Sequence, residues 1–385
     1  MNILSYTNCI LDPKLGSGKT VIMFSEGMHK LGHTVEVCSP EDYETWYGLL
    51  RAIRFRQALG SWLSIRRKLK TGQFDLIEFY GASFWLPTWR LSKLGNRPFI
   101  VAHTNGFELL ETECERYYNP QPRFIRNPLY GWYFRQTHAR FSHAAFAYAD
   151  GFVALCELDR QYSLKLGLYP PERTAVVGPG LDEEYLSMPF SSDLREERVA
   201  FTGTWIPRKG IDRVVDVMTR LLSRNPNLYF DVYGTWWAWG GARDIVRASF
   251  PHQVRHRVIV HPNLSNREMA EGLSRAKVFF FPSLYEGFGI ALAEAMACGC
   301  AVVTTPAGFG ADLRDGKEAL ICGFDDIDRM EHSILRLLDD NNLRRYIARN
   351  GWERVQSLRW EASVKKLEAV YSEWIKDHQS RMKGL

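Results

Sequence analysis

Two glutamates eight residues apart bracket the stretch Glu286-Gly-Phe-Gly289-Ile-Ala-Leu-Ala-Glu294. An apolar run, Val278-Phe-Phe-Phe-Pro282, precedes it and reads as a strand, while the Ala- and Leu-rich residues that follow read as a helix. Gly287 and Gly289 lie at that switch, where backbone N–H groups at a helix N-terminus make a ready anion site. Glu286 comes before the turn, and Glu294 lies about a turn and a half into the helix. Carboxylates beside a bound phosphate would repel it, so hydroxyl groups are their natural partners. The pattern asks for a ligand with one phosphate end and several hydroxyls. A sugar nucleotide fits.

A second loop supplies cations. Thr204-Trp-Ile-Pro207-Arg208-Lys209-Gly210 follows an apolar strand and precedes a helix with Ile211, Val214 and Met218 on one side. Two adjacent cations and a glycine at such a turn suit a diphosphate, although Arg-Lys-Gly also occurs in plain solvent loops. His103-Thr-Asn-Gly106 falls after the apolar run Phe99–Ala102, at the sheet end where open α/β folds take ligands. His103 there is either a sugar contact and proton acceptor or an ordinary loop histidine.

Other patterns are set aside on chemistry. Gly18-Lys19-Thr20 resembles the end of a P-loop, but Pro13 stands where that cradle needs a glycine N–H. Cys298-Gly-Cys300 lacks further ligands for a metal. Asp326-Ile-Asp328 opens a helix, where capping explains it. A nicotinamide-dependent oxidoreductase would need a strand-linked Gly-x-Gly-x-x-Gly with a following acidic residue, and the chain has none.

The elements that position these residues alternate strand and helix from Asn2 onward, which predicts mostly parallel sheets. At 385 residues the chain predicts two domains. We place the first at 1–188 and the second at 195–360, joined by a linker after Tyr185. A closing helix at about 361–385 is long enough to pack back on the first domain. Ser265, with Glu268 three residues on, predicts a capped helix after the loop bearing Leu264.

Hydrophobic content of 45% and charged content of 24% are those of a globular chain, and a net charge of +5 makes no case for nucleic acid. Seven scattered cysteines without a C-x-x-C pair suit a reduced cytoplasm. The start of the chain has no signal-peptide pattern, and no apolar span suffices for a transmembrane helix. Residues 49–70 form a basic amphipathic helix or helix pair, broken near Gly60. It is either a solvated face or a peripheral contact with anionic lipid or a polyanionic acceptor. The aromatic and basic segment from Tyr117 to Phe141 suits a cover over the cleft mouth or an acceptor site, and matches no nucleic-acid-binding module. Trp236, Trp237 and Trp239 either cover a ligand or pack between loop and helix.

Taken together, these residues resemble the retaining GT-B glycosyltransferases of family 4, the glycogen-synthase-like superfamily. The resemblance rests on Glu286-x7-Glu294 with Gly-Phe-Gly between, the following Ala-Met-Ala-Cys-Gly-Cys-Ala-Val-Val, and Phe-Thr-Gly203 with Arg208-Lys209-Gly210. Asp315-Gly316, Asn350-Gly351, Gly32-His33 and Asp150-Gly151 frame it. It implies an α/β fold of GT-B type, with two Rossmann-like domains facing a central cleft and the nucleotide held by the second. By the same resemblance Glu294 holds ribose hydroxyls and Lys209 the diphosphate. Glu286, with the amides of Gly287, Phe288, Gly289 and Ile290, holds donor sugar and phosphate. Leu264 reads the base through its main chain, Gly16 approaches the phosphates, and His103 faces the donor sugar. One departure is Thr204, where the family often has Arg; Arg208 is the candidate substitute. The usual Gly-Gly of the first loop either becomes Leu15-Gly16 here or slides to Gly16-Ser17-Gly18.

The implied activity is a retaining, metal-independent hexosyl transfer in polysaccharide biosynthesis, without a cofactor. The donor is a nucleotide-diphosphate sugar, UDP-glucose first and GDP-mannose second, and the acceptor a glycan or lipid-linked glycan. The expected location is cytoplasmic, with or without a peripheral hold on the inner face of the membrane. Two rivals share the site: a sugar-nucleotide 2-epimerase, which would turn over donor without an acceptor, and a non-catalytic subunit, which would bind without turnover.

Overall fold

In a computed structural model the described residues are all but 14, 45–46, 48–51, 119–127, 192–194, 235–241 and 384–385. The chain divides into two compact units, Met1–Gly180 with Trp360–Leu385, and Leu181–Arg359.

The first unit is built on six parallel strands: β1 Asn2–Thr7, β2 Thr34–Cys38, β3 Leu76–Tyr80, β4 Phe99–His103, β5 Gly151–Ala154 and β6 Thr174–Val176. Their order is β2-β1-β3-β4-β5-β6. β3 and β4 are buried at every residue, as expected of parallel strands covered by helices on both faces. The second unit repeats the plan with β7 Glu196–Thr202, β8 Tyr229–Tyr233, β9 Val258–Val260, β10 Ala276–Phe281, β11 Ala301–Thr304 and β12 Leu320–Ile321. There the order is β12-β11-β10-β7-β8-β9, again parallel. Winding proceeds outward from β7 in one direction and from β10 in the other. Such a switch point leaves a crevice at the carboxyl ends of the two central strands. The loops that follow β7 and β10 carry Lys209 and Glu286.

The closing helix, Trp360–Lys383, belongs to the first unit. Trp360 meets the Phe24 ring edge-on at 5.8 Å, and Trp374 donates its indole N–H to the Glu172 carbonyl at 3.0 Å. Gly27 leaves room for Val364, whose methyls a Cβ would overlap. Residues 181–191, expected to be first-domain tail and linker, group with the second unit. Leu181 N–H donates to the Leu358 carbonyl at 2.9 Å, and the Phe190 ring lies 6.0 Å from that of Trp352.

The basic stretch differs from expectation in one respect. Gly60 does not break it: Ile53–Thr71 is one continuous helix. Gly60 instead admits the Tyr43 carbonyl, which a Cβ would overlap. His103 also differs, being the last residue of β4 rather than a loop residue. The Ser265–Glu268 capping box forms, with Ser265 N–H donating to Glu268 at 2.8 Å. Trp236, Trp237 and Trp239 lie outside the described residues, as does the middle of the Tyr117–Phe141 segment. No helix among the described residues is long and apolar enough to cross a membrane.

Candidate functional site

Beyond β7 the chain makes a short turn, Pro207–Lys209, and enters the helix Ile211–Arg224 through Gly210 at φ +69°. Beyond β10 it passes Pro282 and Ser283 and turns at Gly289, φ +90°, into the helix Ile290–Ala297. The two loops are stitched together. Leu284 N–H donates to the Arg208 carbonyl at 2.8 Å, and the Arg208 guanidinium approaches the Tyr285 carbonyl at 3.5 Å. Gly210 is required at this seam, since any Cβ would overlap the Pro282 carbonyl oxygen.

Across the seam Lys209 Nζ donates to Glu286 Oε1 at 2.6 Å, with side-chain exposures of only 13% and 7%. The ammonium also lies 5.2 Å from the centre of the Phe281 ring. Burial would raise the Glu286 carboxyl, but the charges of Lys209 and Arg208 outweigh it and hold the group below its usual range. Burial pulls the Lys209 ammonium down, Arg208 adds to this, and the Glu286 charge opposes it. The result is an ion pair in a poorly hydrated crevice, where each charge keeps the other in place. Removing one partner would leave the other uncompensated.

A third loop, after β11, closes on this turn, and the sequence pattern did not point to it. In Gly308–Asp312, Phe309 N–H donates to the Phe288 carbonyl at 2.7 Å, and the two rings stack at 5.0 Å. Gly308, at φ +54°, sits so near that a Cβ would come within 2.8 Å of the Glu286 Cβ. Gly308-Phe-Gly310 repeats the Gly287-Phe-Gly289 pattern, which is the one signal the sequence offered.

Glu294 is partly exposed on its helix. The buried Tyr185 hydroxyl is pushed up by burial first and by the nearby Glu294 charge second, so Tyr185 is one of its neighbours. Leu264 is partly exposed in the loop after β9, two strands from β7. The structure therefore gathers Arg208, Lys209, Glu286 and residues 287–290 at the switch point. Glu294 follows along the same helix, and Leu264 stands at the end of a strand farther out.

Two expected residues lie in the first unit. Gly16 is exposed as the first residue of the helix Gly16–Lys30. His103 is wholly buried: Nε2 meets the Tyr371 hydroxyl and lies 3.3 Å from Glu78, and the ring stacks on Tyr80 at 4.3 Å. Nδ1 is buried without a hydrogen-bond partner among the described residues, so a sugar contact would have to be made there. Burial would raise the Glu78 carboxyl, but hydrogen bonds and charge from His103, with Ser5 and Tyr371 donating, keep it low. Tyr371→Phe removes a donor from this closed network. It is expected to destabilise the chain by about 1–3 kcal/mol, read as a lower thermal midpoint. An unchanged midpoint would mean that the network contributes nothing.

Among the described residues no three His, Cys, Asp or Glu side chains gather as metal ligands. Cys298 and Cys300 are buried, Asp326 caps the next helix through Arg329 N–H at 3.1 Å, and Asp328 pairs with Arg220 at 2.9 Å.

Two family models match the chain almost end to end: Glycosyltransferase Family 4 over residues 16–185, and Glycosyl transferases group 1 over residues 187–354. The chain belongs to the family 4 glycosyltransferases. Among curated relatives, it is 30% identical to the MMP alpha-(1->4)-mannosyltransferase of Mycolicibacterium hassiacum, over 53% of this chain and 49% of that one. It is 31% identical to the phosphatidyl-myo-inositol mannosyltransferase of Mycolicibacterium smegmatis, over 46% of this chain and 45% of that one. The matched region thus spans about half the length of these curated relatives. Among solved structures, sucrose-phosphate synthase from Thermosynechococcus elongatus superposes with a TM-score of 0.77 at 17% identity, covering 98% of this chain and 100% of that one. That likeness speaks for the GT-B fold alone. Along this chain the two family models meet at residues 185–187, and the Lys209–Glu286 crevice lies in the part matched by the group 1 model.

Proposed function

We propose that the protein transfers a hexose, with retention of anomeric configuration, from a nucleotide-diphosphate sugar to a hydroxyl of a glycan or lipid-linked glycan in polysaccharide assembly. The observation that carries this reading is the Lys209–Glu286 ion pair at the β7/β10 switch point, beside the amide-bearing turn 287–290. In this reading the donor diphosphate takes up Lys209 and the turn amides, with Arg208 as the second cation. Glu286 accepts from hydroxyls of the donor sugar, and Glu294 from those of the ribose. As the bond from the anomeric carbon to the phosphate oxygen breaks, negative charge grows on the leaving diphosphate. Lys209 and the N–H groups stabilise it where little water competes. The acceptor hydroxyl attacks from the same face, and its proton passes to the departing phosphate oxygen. This route calls on no metal and no enzymic nucleophile. His103, closed in its own network, is a positioning residue here.

UDP-glucose is the first choice of donor. Two relatives are mannosyltransferases by name, which keeps GDP-mannose as the second. The test is thermal-shift screening with UDP-glucose, GDP-mannose and ADP-glucose. A donor at a hundred times its Kd stabilises the fold by about 2.7 kcal/mol, a rise of roughly 3 °C at this size. Glu294→Ala is expected to abolish most of that rise and to increase the donor KM about a hundredfold, since hydrogen bonds to a charged group are lost. No rise with any of the three, or an undiminished rise in Glu294→Ala, would sink the assignment.

A further inference from the structure

The helix Ile53–Thr71 has an outer face that its own packing does not explain. Its inner side is buried through Gln57, Ala58, Gly60, Ser61, Ser64 and Ile65. On the outer side Phe55, Leu59 and Leu63, one every four residues, are 48%, 51% and 42% exposed. Exposed large hydrophobics scattered singly need no explanation, but a row on one helical face does. The same face continues into the exposed cations Arg66, Arg67 and Lys70. Among the described residues no carboxylate forms an ion pair with these three, whereas Arg56 and Lys68 are held by Glu44 and Glu36. The helix carries no Asp or Glu at all.

The apolar end is firmly set. Phe55 meets the rings of Trp85 and Phe141 edge-on at 6.1 and 5.3 Å, and those two stack at 4.4 Å. The face is thus a narrow apolar line on a fixed helix, leading into a cationic end. Tilted against a bilayer, such a helix sets its apolar end toward the acyl chains and its cationic end at the headgroups. Cations unopposed by any acid on their own helix favour anionic headgroups over neutral ones.

We infer that the outer face of Ile53–Thr71 docks the protein on an anionic lipid surface. Phe55, Leu59 and Leu63 enter the interface, and Arg66, Arg67 and Lys70 meet the headgroups. The inference bears on the acceptor of the proposed reaction, because a lipid-linked acceptor is presented at such a surface. It does not depend on donor chemistry.

The test is co-sedimentation of the full chain with phosphatidylcholine vesicles, with and without about one-third phosphatidylglycerol. Wild type is expected to pellet with the anionic vesicles and to be released as salt rises. Leu59→Glu with Leu63→Glu, and separately Arg66→Glu with Arg67→Glu, are expected to weaken binding about tenfold or more. These side chains face outward, so circular dichroism and the thermal midpoint should hold in both variants. Wild type that does not pellet, pelleting equally on neutral vesicles, or variants that bind as well as wild type would each overturn the inference. So would a dimer in light scattering that Leu59→Glu dissociates, which would assign the face to a second copy. The donor-induced thermal rise, followed in the same variants, separates the two readings. Lost vesicle binding with an intact rise concerns this face alone, and a missing rise in wild type concerns the donor site alone.

Discussion

Lys209→Ala is expected to lower kcat/KM by roughly a hundredfold to a thousandfold, the usual cost of removing one preorganised donor from a developing negative charge. The assay is release of nucleoside diphosphate from whichever donor raises the thermal midpoint. The structure makes a further demand on this experiment, because Lys209 is also the partner of a buried carboxylate at 2.6 Å. Truncating it strands Glu286, and breaking a buried pair costs about 3–5 kcal/mol. Lost activity alone would therefore not separate chemistry from stability. Combining Lys209→Ala with Glu286→Gln removes the stranded charge. The double variant is expected to recover most of the thermal midpoint while remaining as inactive as the single one. Recovery of both would make Lys209 a structural cation, and wild-type turnover in Lys209→Ala would remove it from the mechanism.

The strands were legible because parallel strands in a covered sheet are apolar throughout. Leu76–Tyr80, Phe99–His103 and Ala276–Phe281 announce themselves as short runs bounded by glycine, proline or polar residues. Helix entry at 290 was legible for a related reason, since glycine marks the place where φ turns positive. The meeting of Lys209 with Glu286 was not, because 77 residues separate them and only the strand order β10-β7 brings their loops together. Periodicity reports which face of an element is buried and is silent on which strands are neighbours. His103 shows the opposite failure. Its polar neighbours in sequence suggest an exposed loop, yet Tyr371, 268 residues away, accounts for its burial. Gly60 was misread because glycine within a helix has two explanations, a break or a close approach, and only the carbonyl of Tyr43 decides between them.

Close approach by a glycine also sets the second large effect. Gly210→Ala is expected to lower the thermal midpoint by about 3 °C or more and to remove the donor-induced rise. Two costs add. An alanine held at φ +69° loses about 1–2 kcal/mol to left-handed strain. Its Cβ also overlaps the Pro282 carbonyl oxygen, so the loops after β7 and β10 must part. Gly316 separates these costs, since it has nearly the same φ, +72°, and a methyl there would meet nothing within 4 Å. Gly316→Ala should show the backbone cost alone and keep the donor response. The difference between the two variants then measures the contact that holds Lys209 opposite Glu286. Equal falls, with the donor response kept in both, would mean that the seam tolerates the methyl and that the ion pair does not depend on it.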